Sequence, residues 1–198
     1  MESNVFEQMA KKYDTEERIE LSKVIIKEVR SELSDRASKS LIDYGSGTGL
    51  IGLEVADLVD SVLLVDSSEQ MLEVADAKIS NKGITNAKVL SSDFTKGNPG
   101  LKADIVLLSL VLLHIPETKK ILHELFEVLN DGGKLIIIDF DKNDKISHPK
   151  VHNGFLHDEL EKVLAEVGFT SIDIKTFHHG KNIFMKKDAS MFICTCMK

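Results

Sequence analysis

The chain has 198 residues, a formal net charge of −7, 42% hydrophobic residues and 29% charged residues. This length favours one domain with its own apolar core, and the acidic balance argues against nonspecific binding to nucleic acid. The two cysteines, Cys194 and Cys196, are two positions apart in a predicted strand, so we expect reduced, apolar side chains on one face of it. No signal peptide is predicted, and the longest apolar stretch, Ile105 to Ile115, is too short to span a bilayer. We therefore expect a cytoplasmic protein without a membrane or nucleic-acid partner.

Helices and strands alternate along most of the chain. Apolar residues at helical spacing predict helix over residues 5–33, and residues 34–39 form a polar break. Beyond the break, the pattern predicts strands at 40–44, 62–65, 88–90, 103–110, 134–140, 169–177 and 190–197, and helices at about 50–58, 69–81, 117–129 and 155–167. The remaining segments are predicted as a turn at Asp131–Gly133, a polar loop at 141–153, and a basic connection with Lys181, Lys186 and Lys187. This alternation predicts an α/β fold: a doubly wound, mostly parallel seven-stranded sheet with a C-terminal antiparallel hairpin and helices on both faces.

A glycine loop follows the first predicted strand. Gly45, Gly47 and Gly49 allow the chain to turn sharply and allow a ligand to approach the bare main chain. The following helix presents free N–H groups to a carboxylate or a phosphate. Gly47 to Gly52 also satisfies the dinucleotide spacing G-x-G-x-x-G, although in that pattern the first glycine should follow the strand at once. A nicotinamide dinucleotide therefore stays open as an alternative ligand.

Polar residues also follow the other predicted strands. In an open α/β sheet, ligands bind beyond the carboxyl ends of the strands, and this edge holds Asp66, Asp93, Asp139 and the segment Ser109–His114. A carboxylate at Asp66 can accept hydrogen bonds from both hydroxyls of a ribose. Each acid alone is an ordinary strand-end residue, whereas three acids and a glycine loop at one edge predict a binding site.

Several segments in a fixed order resemble one protein family. They are residues 41–49 (LIDYGSGTG), 65–72 (VDSSEQML), 92–94 (SDF), 104–106 (DIV), 113–115 (LHI), 129–135 (LNDGGKL) and 160–169, with Phe6, Ala10, Tyr13 and Asp14 before them. Together they resemble the class I, Rossmann-like S-adenosylmethionine-dependent methyltransferases of the small-molecule type. The resemblance implies a single methyltransferase domain over 1–198, in which 1–39 is an N-terminal helical segment on the substrate side and 40–198 is the Rossmann-like core. It also implies S-adenosylmethionine as the cofactor and a small-molecule methyl acceptor as the partner.

The resemblance further implies which residues bind the methionine half of the cofactor. Gly45, Ser46, Gly47 and Gly49 would lie against this half, and Asp43 would hold the loop and the cofactor's amino group. Ser109 and Leu110 would offer backbone groups to the methionine end. Tyr13 would close over the cofactor.

A second group of residues is implied for the nucleoside half. Asp66 would bind the ribose hydroxyls, with Ser67 beside it, while Ser67 or Ser68 is also a plausible N-cap of the next helix. Asp93 would accept a hydrogen bond from the adenine amino group, with Phe94 nearby, and Met71 would lie beside the ring. For Met71 and Phe94, simple core packing is an equal alternative.

The acceptor side carries three catalytic candidates. His114 follows the fourth strand and is a candidate base, the alternative being a histidine that orders the loop. Asp139 is a candidate for binding a cationic acceptor, the alternative being a loop cap. Tyr13 completes the set, and no metal is predicted because the other histidines lack ligand spacing with a carboxylate. A nicotinamide-dependent oxidoreductase and a non-catalytic S-adenosylmethionine-binding module are the competing functions.

Overall fold

The computed structural model describes residues 10–33 and 39–198. The predictions for residues 5–9, including Phe6, and for 34–38 lie outside these ranges. The chain divides into two compact units, Met1–Asp93 and Phe94–Lys198. Each unit is described separately below, and the single domain over 1–198 stays a prediction.

Among its described residues, 10–33 and 39–93, the first unit contains three parallel strands and two α-helices. Its elements are a short 3-10 segment Ala10–Lys12, helix α1 (Glu16–Leu33), strand β1 (Ser40–Tyr44), a 3-10 segment Gly52–Leu58, strand β2 (Ser61–Asp66), helix α2 (Glu69–Lys82) and strand β3 (Ala87–Ser91). The strand order is β3-β2-β1, with Tyr44 opposite Val65 and Asp66 opposite Ser91. The carboxyl ends of the three strands therefore lie side by side, as expected for parallel strands joined by crossovers.

The helix predicted over residues 50–58 is a 3-10 segment, Gly52–Leu58, so both its type and its start differ from the prediction. Glu54 N donates to Ile51 O at 3.0 Å, which is the i to i+3 bond of a 3-10 turn. Asn86 Nδ2 donates to the carbonyls of Ala56 and Val59 and so satisfies the end of the segment. The Asn86 side chain, from another part of the unit, thus stabilises a 3-10 geometry that the spacing of apolar residues does not predict.

The second unit contains four strands and two α-helices. Its elements are a 3-10 segment Phe94–Lys96, strand β4 (Ala103–Ser109), a 3-10 segment Leu112–His114, helix α3 (Thr118–Val128), strand β5 (Leu129–Phe140), helix α4 (His157–Val167), strand β6 (Thr170–Phe184) and strand β7 (Lys187–Met197). The strand order is β4-β5-β7-β6. β4 and β5 are parallel, and β7 is antiparallel to both β5 and β6. The predicted C-terminal hairpin and the mixed α/β class are confirmed.

Two predicted connections of the second unit belong to strands. The turn predicted at Asp131–Gly133 lies within β5, because Gly132 N donates to Lys198 O and Lys198 N donates to Gly133 O. The basic connection of the hairpin is reduced to Met185 and Lys186, whose φ angles of 49° and 60° form a tight two-residue turn. In both cases, pairing with a distant strand extends β structure into residues that favour turns.

The helix predicted from Phe155 begins two residues later, at His157. Phe155 N donates to Phe140 O, and Phe155 forms an isolated bridge with Asp141, so this residue is held in extended backbone. Gly168 closes the helix in the left-handed conformation, with φ 120°, as predicted.

The two cysteines are free thiols with buried side chains in β7, as predicted. Among residues 10–33 and 39–198, none of the helices combines the length and the apolar character needed to cross a membrane.

Candidate functional site

The glycine loop is fixed across the carboxyl ends of β1 and β2. Gly45, Gly47 and Gly49 have φ angles of 71°, 53° and 75°, a region that residues with a Cβ rarely adopt. Gly45 N and Ser46 N both donate to Val65 O, at 2.7 and 3.1 Å, and Gly49 N donates to Ser46 O at 2.9 Å. Glycine is therefore required here by the backbone itself, and the loop presents main chain without side chains at its turns.

Asp66 organises this loop. Its Oδ2 accepts a hydrogen bond from Gly47 N at 2.8 Å, and its Oδ1 accepts one from Ser68 N at 2.9 Å. Ser68, and not Ser67, is the N-cap of α2, since its hydroxyl accepts from Met71 N at 3.2 Å. A carboxylate has about four lone-pair directions and can accept several hydrogen bonds at once.

Asp43 lies beneath the loop as a buried carboxyl. Its Oδ2 accepts from Gly52 N at 3.1 Å. Burial raises the pKa of Asp43 to about 7, with a further contribution from the Asp66 charge and against the hydrogen bond from Gly52. A Cβ on Gly52 would stand 2.5 Å from Asp43 Oδ2, so the third glycine of the dinucleotide-like spacing serves close packing against Asp43. Asp43 is therefore bonded to the start of the 3-10 segment that follows the loop, and its predicted roles in holding the loop and the cofactor's amino group stay predictions.

Tyr13 lies against the glycine loop. A Cβ built on Gly47 would be 3.8 Å from Tyr13 Cε1. The Arg18 guanidinium lies 4.0 Å from the centre of the Tyr13 ring, and Arg18 Nη1 donates to Tyr13 O at 2.9 Å. Burial raises the pKa of the Tyr13 hydroxyl, against the charge of Arg18 and together with that of Asp66. The aromatic ring is therefore held near Gly47, and its predicted closure over the cofactor stays a prediction.

Asp14 and Lys78 also contact the loop, and sequence reasoning missed this arrangement. Thr48 Oγ1 donates to Asp14 Oδ1 at 2.5 Å, and Lys78 Nζ lies 2.6 Å from Asp14 Oδ2. Lys78 Nζ also donates to the Thr48 carbonyl at 2.8 Å. These three residues come from separate parts of the sequence, and no spacing signal connects them. The resemblance covered Asp14 and Thr48, whereas no motif pointed to Lys78.

Ser46 carries a hydroxyl that is well suited to a polar ligand. Among the described residues, Ser46 Oγ is buried and has no hydrogen-bond partner. An unsatisfied buried hydroxyl costs about 1–3 kcal/mol, so native proteins rarely keep one without a use. The unpaired hydroxyl, the bare main chain of the loop and the Asp66 carboxylate fit the carboxylate, amino and ribose groups that the sequence analysis assigned to this place.

The end of β4 in the second unit has a similar feature. Ser109 Oγ is buried and likewise unpaired within the described parts of the chain. The next residue, Leu110, has a φ of 57°, and its N–H donates to Ile138 O at 2.8 Å. A non-glycine residue in this region is strained and is often found at functional sites. This geometry supports the prediction for Ser109, and His114 follows at the end of the next 3-10 turn.

Asp139 is completely buried in β5. Its Oδ2 accepts from Leu113 N at 3.0 Å, and its Oδ1 accepts from Phe140 N at 2.8 Å. Burial raises the pKa of Asp139 to about 7, while the hydrogen bonds from the Phe140, Leu113 and Leu112 backbones lower it. The structure favours the loop-capping alternative for Asp139, because the side chain has no exposed surface for an acceptor.

Met71 and Phe94 are almost fully buried, with 1% and 0% of their surfaces exposed. Core packing therefore accounts for both residues, and their roles beside adenine stay predictions. Asp93 is partly exposed after β3, and Ser67 is exposed after β2. Their contacts with the cofactor also stay predictions.

Several other histidines make local contacts. His152 Nε2 lies 3.1 Å from Ile115 O, His157 Nε2 lies 2.8 Å from Asp141 Oδ1, and His179 Nδ1 lies 2.7 Å from Ser190 Oγ. Within the described ranges, no group of three or more potential ligands forms a metal-binding cluster. His152 lies in a loop, His157 begins α4 and His179 lies in β6.

Sequence comparison identifies related proteins. A family profile described as "Methyltransferase domain" matches residues 35–186. The ubiquinone/menaquinone biosynthesis C-methyltransferase UbiE of Pasteurella multocida is 27% identical over 176 residues, which is 82% of this chain and 64% of that protein. The UbiE protein of a Marinomonas species is 27% identical over 148 residues, 71% of this chain and 59% of that protein. The chain thus spans about 60% of the length of the curated relatives it matches.

Structural comparison confirms the predicted fold. A SAM-dependent methyltransferase from Aquifex aeolicus superposes with a TM-score of 0.72 at 21% identity, over 96% of this chain and 97% of that one. The [4+2]-cyclase SpnF superposes with a TM-score of 0.73 at 17% identity, over 88% of this chain and 79% of that one. The fold is therefore shared by proteins of different named activities, and the functional argument depends on the site and the family.

Proposed function

The chain belongs to the class I family of S-adenosylmethionine-dependent methyltransferases, and on that premise we propose that it methylates a small-molecule acceptor by in-line displacement. The observation that carries the proposal is the combination of the glycine loop, the Asp66 carboxylate and the unpaired Ser46 hydroxyl within one unit. These groups suit a nucleoside joined to an amino acid. We also propose that residues 1–198 act as one domain.

The charge of the first unit favours this cofactor over a dinucleotide. Residues 1–93 contain 18 acidic and 11 basic residues. A sulfonium cofactor carries positive charge, whereas a nicotinamide dinucleotide brings two negative phosphates to the loop. The acidic excess therefore supports the methyl donor electrostatically.

The residues that would hold the cofactor are those assigned from the sequence. Asp66 would bind the ribose, and the loop Gly45–Gly49 with Ser46 would hold the amino acid half, supported from below by Asp43. When bound, S-adenosylmethionine supplies a methyl group on a positively charged sulfur, which is already a good leaving group. The protein then has to align the acceptor and exclude water. Tyr13, held against Gly47, contributes to both tasks.

The chemistry of the acceptor decides whether the protein also has to supply a base. A hydroxyl acceptor requires a base to take its proton, and we propose His114 for this role. A carbon nucleophile in an electron-rich ring requires less assistance. The named activity of the UbiE relatives is C-methylation in quinone biosynthesis, so quinol-type compounds are the first acceptors to test.

The test combines binding with turnover. Purified protein is titrated with S-adenosylhomocysteine and, separately, with NADH and NADPH, while heat stability is recorded. A panel of quinols, phenols, amines and thiols is then incubated with methyl-labelled S-adenosylmethionine. Stabilisation by S-adenosylhomocysteine with label transferred to one acceptor class supports the proposal. Stabilisation by NADH alone would replace it with an oxidoreductase, and binding without transfer to any class would replace it with a non-catalytic binding module.

A further inference from the structure

The N-terminal segment is attached to the glycine loop at a second place besides Tyr13. We propose that Asp14 and Lys78 are positioning residues. With Thr48 they form a clamp that holds Tyr13 over the loop and slows the release of the cofactor. The name clamp refers below to Asp14, Thr48 and Lys78. The inference rests on the proposed function and adds to it the residues that control cofactor exchange.

The clamp is a closed ring of three contacts. Thr48 donates through Oγ1 to Asp14, Asp14 pairs through its other oxygen with Lys78, and Lys78 donates back to the Thr48 carbonyl. Thr48 lies between Gly47 and Gly49 and has 1% of its surface exposed. Asp14 and Lys78 thus contact the glycine loop through both the side chain and the main chain of its central residue, Thr48.

The Asp14–Lys78 pair is less exposed than the other ion pairs among the described residues of the first unit. Each of its side chains has 25% of its surface exposed, whereas Lys82 and Glu54 have 52% and 44%, and Lys23 and Glu20 have 62% and 63%. Exposed pairs contribute little because water and salt screen them. A pair that is three-quarters buried and bonded to a third group is screened less and holds its geometry better.

The clamp acts on the residue next to Asp14. Thr15 N donates to Tyr13 O at 2.9 Å and Tyr13 N donates to Ala10 O at 3.2 Å, so residues 10–15 form a compact turn. Holding Asp14 therefore holds the Tyr13 ring beside Gly47. A Cβ built on Gly47 would be 3.8 Å from the Tyr13 ring, so a ligand that contacts Gly47 meets this ring when it enters or leaves.

The test compares two lysines of the same helix. Lys78→Met opens the clamp, and Lys82→Met removes an equal charge one turn further along α2, where the lysine pairs with the exposed Glu54. The dissociation rate of S-adenosylhomocysteine is measured by stopped-flow displacement, together with the thermal midpoint of each variant. We expect about a tenfold faster dissociation for Lys78→Met, and less than a twofold change for Lys82→Met. If the thermal midpoints of the two variants lie within a few degrees of each other, a faster dissociation in Lys78→Met reflects the loss of the clamp and not a general loss of stability.

A second variant and a ligand-free measurement keep the test decisive. Asp14→Asn should accelerate dissociation as much as Lys78→Met, and the double variant should add no further acceleration, because each change breaks the same ring. Without ligand, trypsin should cleave after the exposed Lys12 several-fold faster in Lys78→Met than in Lys82→Met. Equal dissociation rates in the Lys78 and Lys82 variants would overturn the clamp. Absence of any S-adenosylhomocysteine binding by the unmodified protein would instead overturn the proposed function on which the clamp depends.

Discussion

The two units of the chain differ in how their candidate functional residues are held. In Met1–Asp93 the glycine loop, Asp66, Asp43 and Tyr13 are joined by directional hydrogen bonds and close contacts. In Phe94–Lys198 the catalytic candidate Asp139 is used as a buried cap. A ligand that contacts main chain imposes backbone geometry that short motifs can encode. An acceptor pocket built from loop side chains leaves no comparable pattern in the sequence.

The largest effect is expected at Gly47. Gly47→Val should weaken S-adenosylhomocysteine binding more than 100-fold, about 3 kcal/mol, because a β-branched residue cannot keep the φ of 53° and would fill the ligand side of the loop. Isothermal titration calorimetry measures the change, and circular dichroism checks that the sheet remains folded.

Gly83 provides the matched control for Gly47. Its φ is 64°, and a Cβ there would meet no atom within 4 Å. Gly83→Val should therefore carry a similar backbone cost in stability but leave the affinity within twofold. Equal affinities in the two valine variants would show that the loop is not part of the binding site.

Asp66→Ala should weaken S-adenosylhomocysteine binding by about 2 kcal/mol, the scale of lost hydrogen bonds to a charged group. The loop also loses the acceptor of Gly47 N, so the loss includes poorer organisation of the loop. Asp57→Ala, which removes an exposed carboxylate paired with Arg30 in the same unit, is the control. Calorimetry that finds the two alanine variants alike would contradict the ribose role.

The pH dependence of the unfolding free energy tests the role of Asp139 in the second unit. Its pKa is raised to about 7 in the folded protein, above the ordinary 3.8, so the folded state keeps a proton that the unfolded state has lost. The unfolding free energy should therefore fall as pH rises from about 4 to about 7. Asp139→Asn should flatten this decline by at most about 4 kcal/mol, since one pKa unit corresponds to about 1.4 kcal/mol, and Asp43, whose pKa is also about 7, should make a similar contribution to the slope.

Urea denaturation at several pH values measures this slope. Asp131→Asn, a change at an exposed carboxylate of the same strand, serves as the reference. A slope that is the same in both asparagine variants would show that Asp139 is ionised throughout and is free for a role in binding the acceptor.

The smallest effect is expected at His114. His114→Ala should leave the affinity for S-adenosylhomocysteine within twofold, as should His123→Ala on the exposed side of α3. Titration calorimetry of both variants checks this expectation. A tenfold loss confined to His114→Ala would move this residue from the acceptor side to the cofactor side.

Local sequence signals predicted the elements whose structure is decided locally. The first strand, Ser40–Tyr44, was placed correctly because its apolar residues end at a glycine turn. Gly45 to Gly49 and Asp66 were singled out as candidate site residues for the same reason, since strand ends and glycines are visible in the sequence.

Long-range contacts decided the features that sequence reasoning missed. Residues 131–133 became part of β5 through bonds to Lys198, and β6 extended to Phe184 by pairing with β7. Asp14 and Lys78 likewise meet only when the chain is folded. Periodicity and motif spacing report neighbours along the chain, so contacts between distant residues stay outside their reach.

The most direct measurement is the affinity of the folded protein for S-adenosylhomocysteine and S-adenosylmethionine by isothermal titration calorimetry. We expect one binding site per chain for each compound, at micromolar concentrations, that is lost in Gly47→Val and retained in Gly83→Val. A folded protein that takes up neither compound at millimolar concentration would contradict the assignment of the glycine loop to the methyl donor.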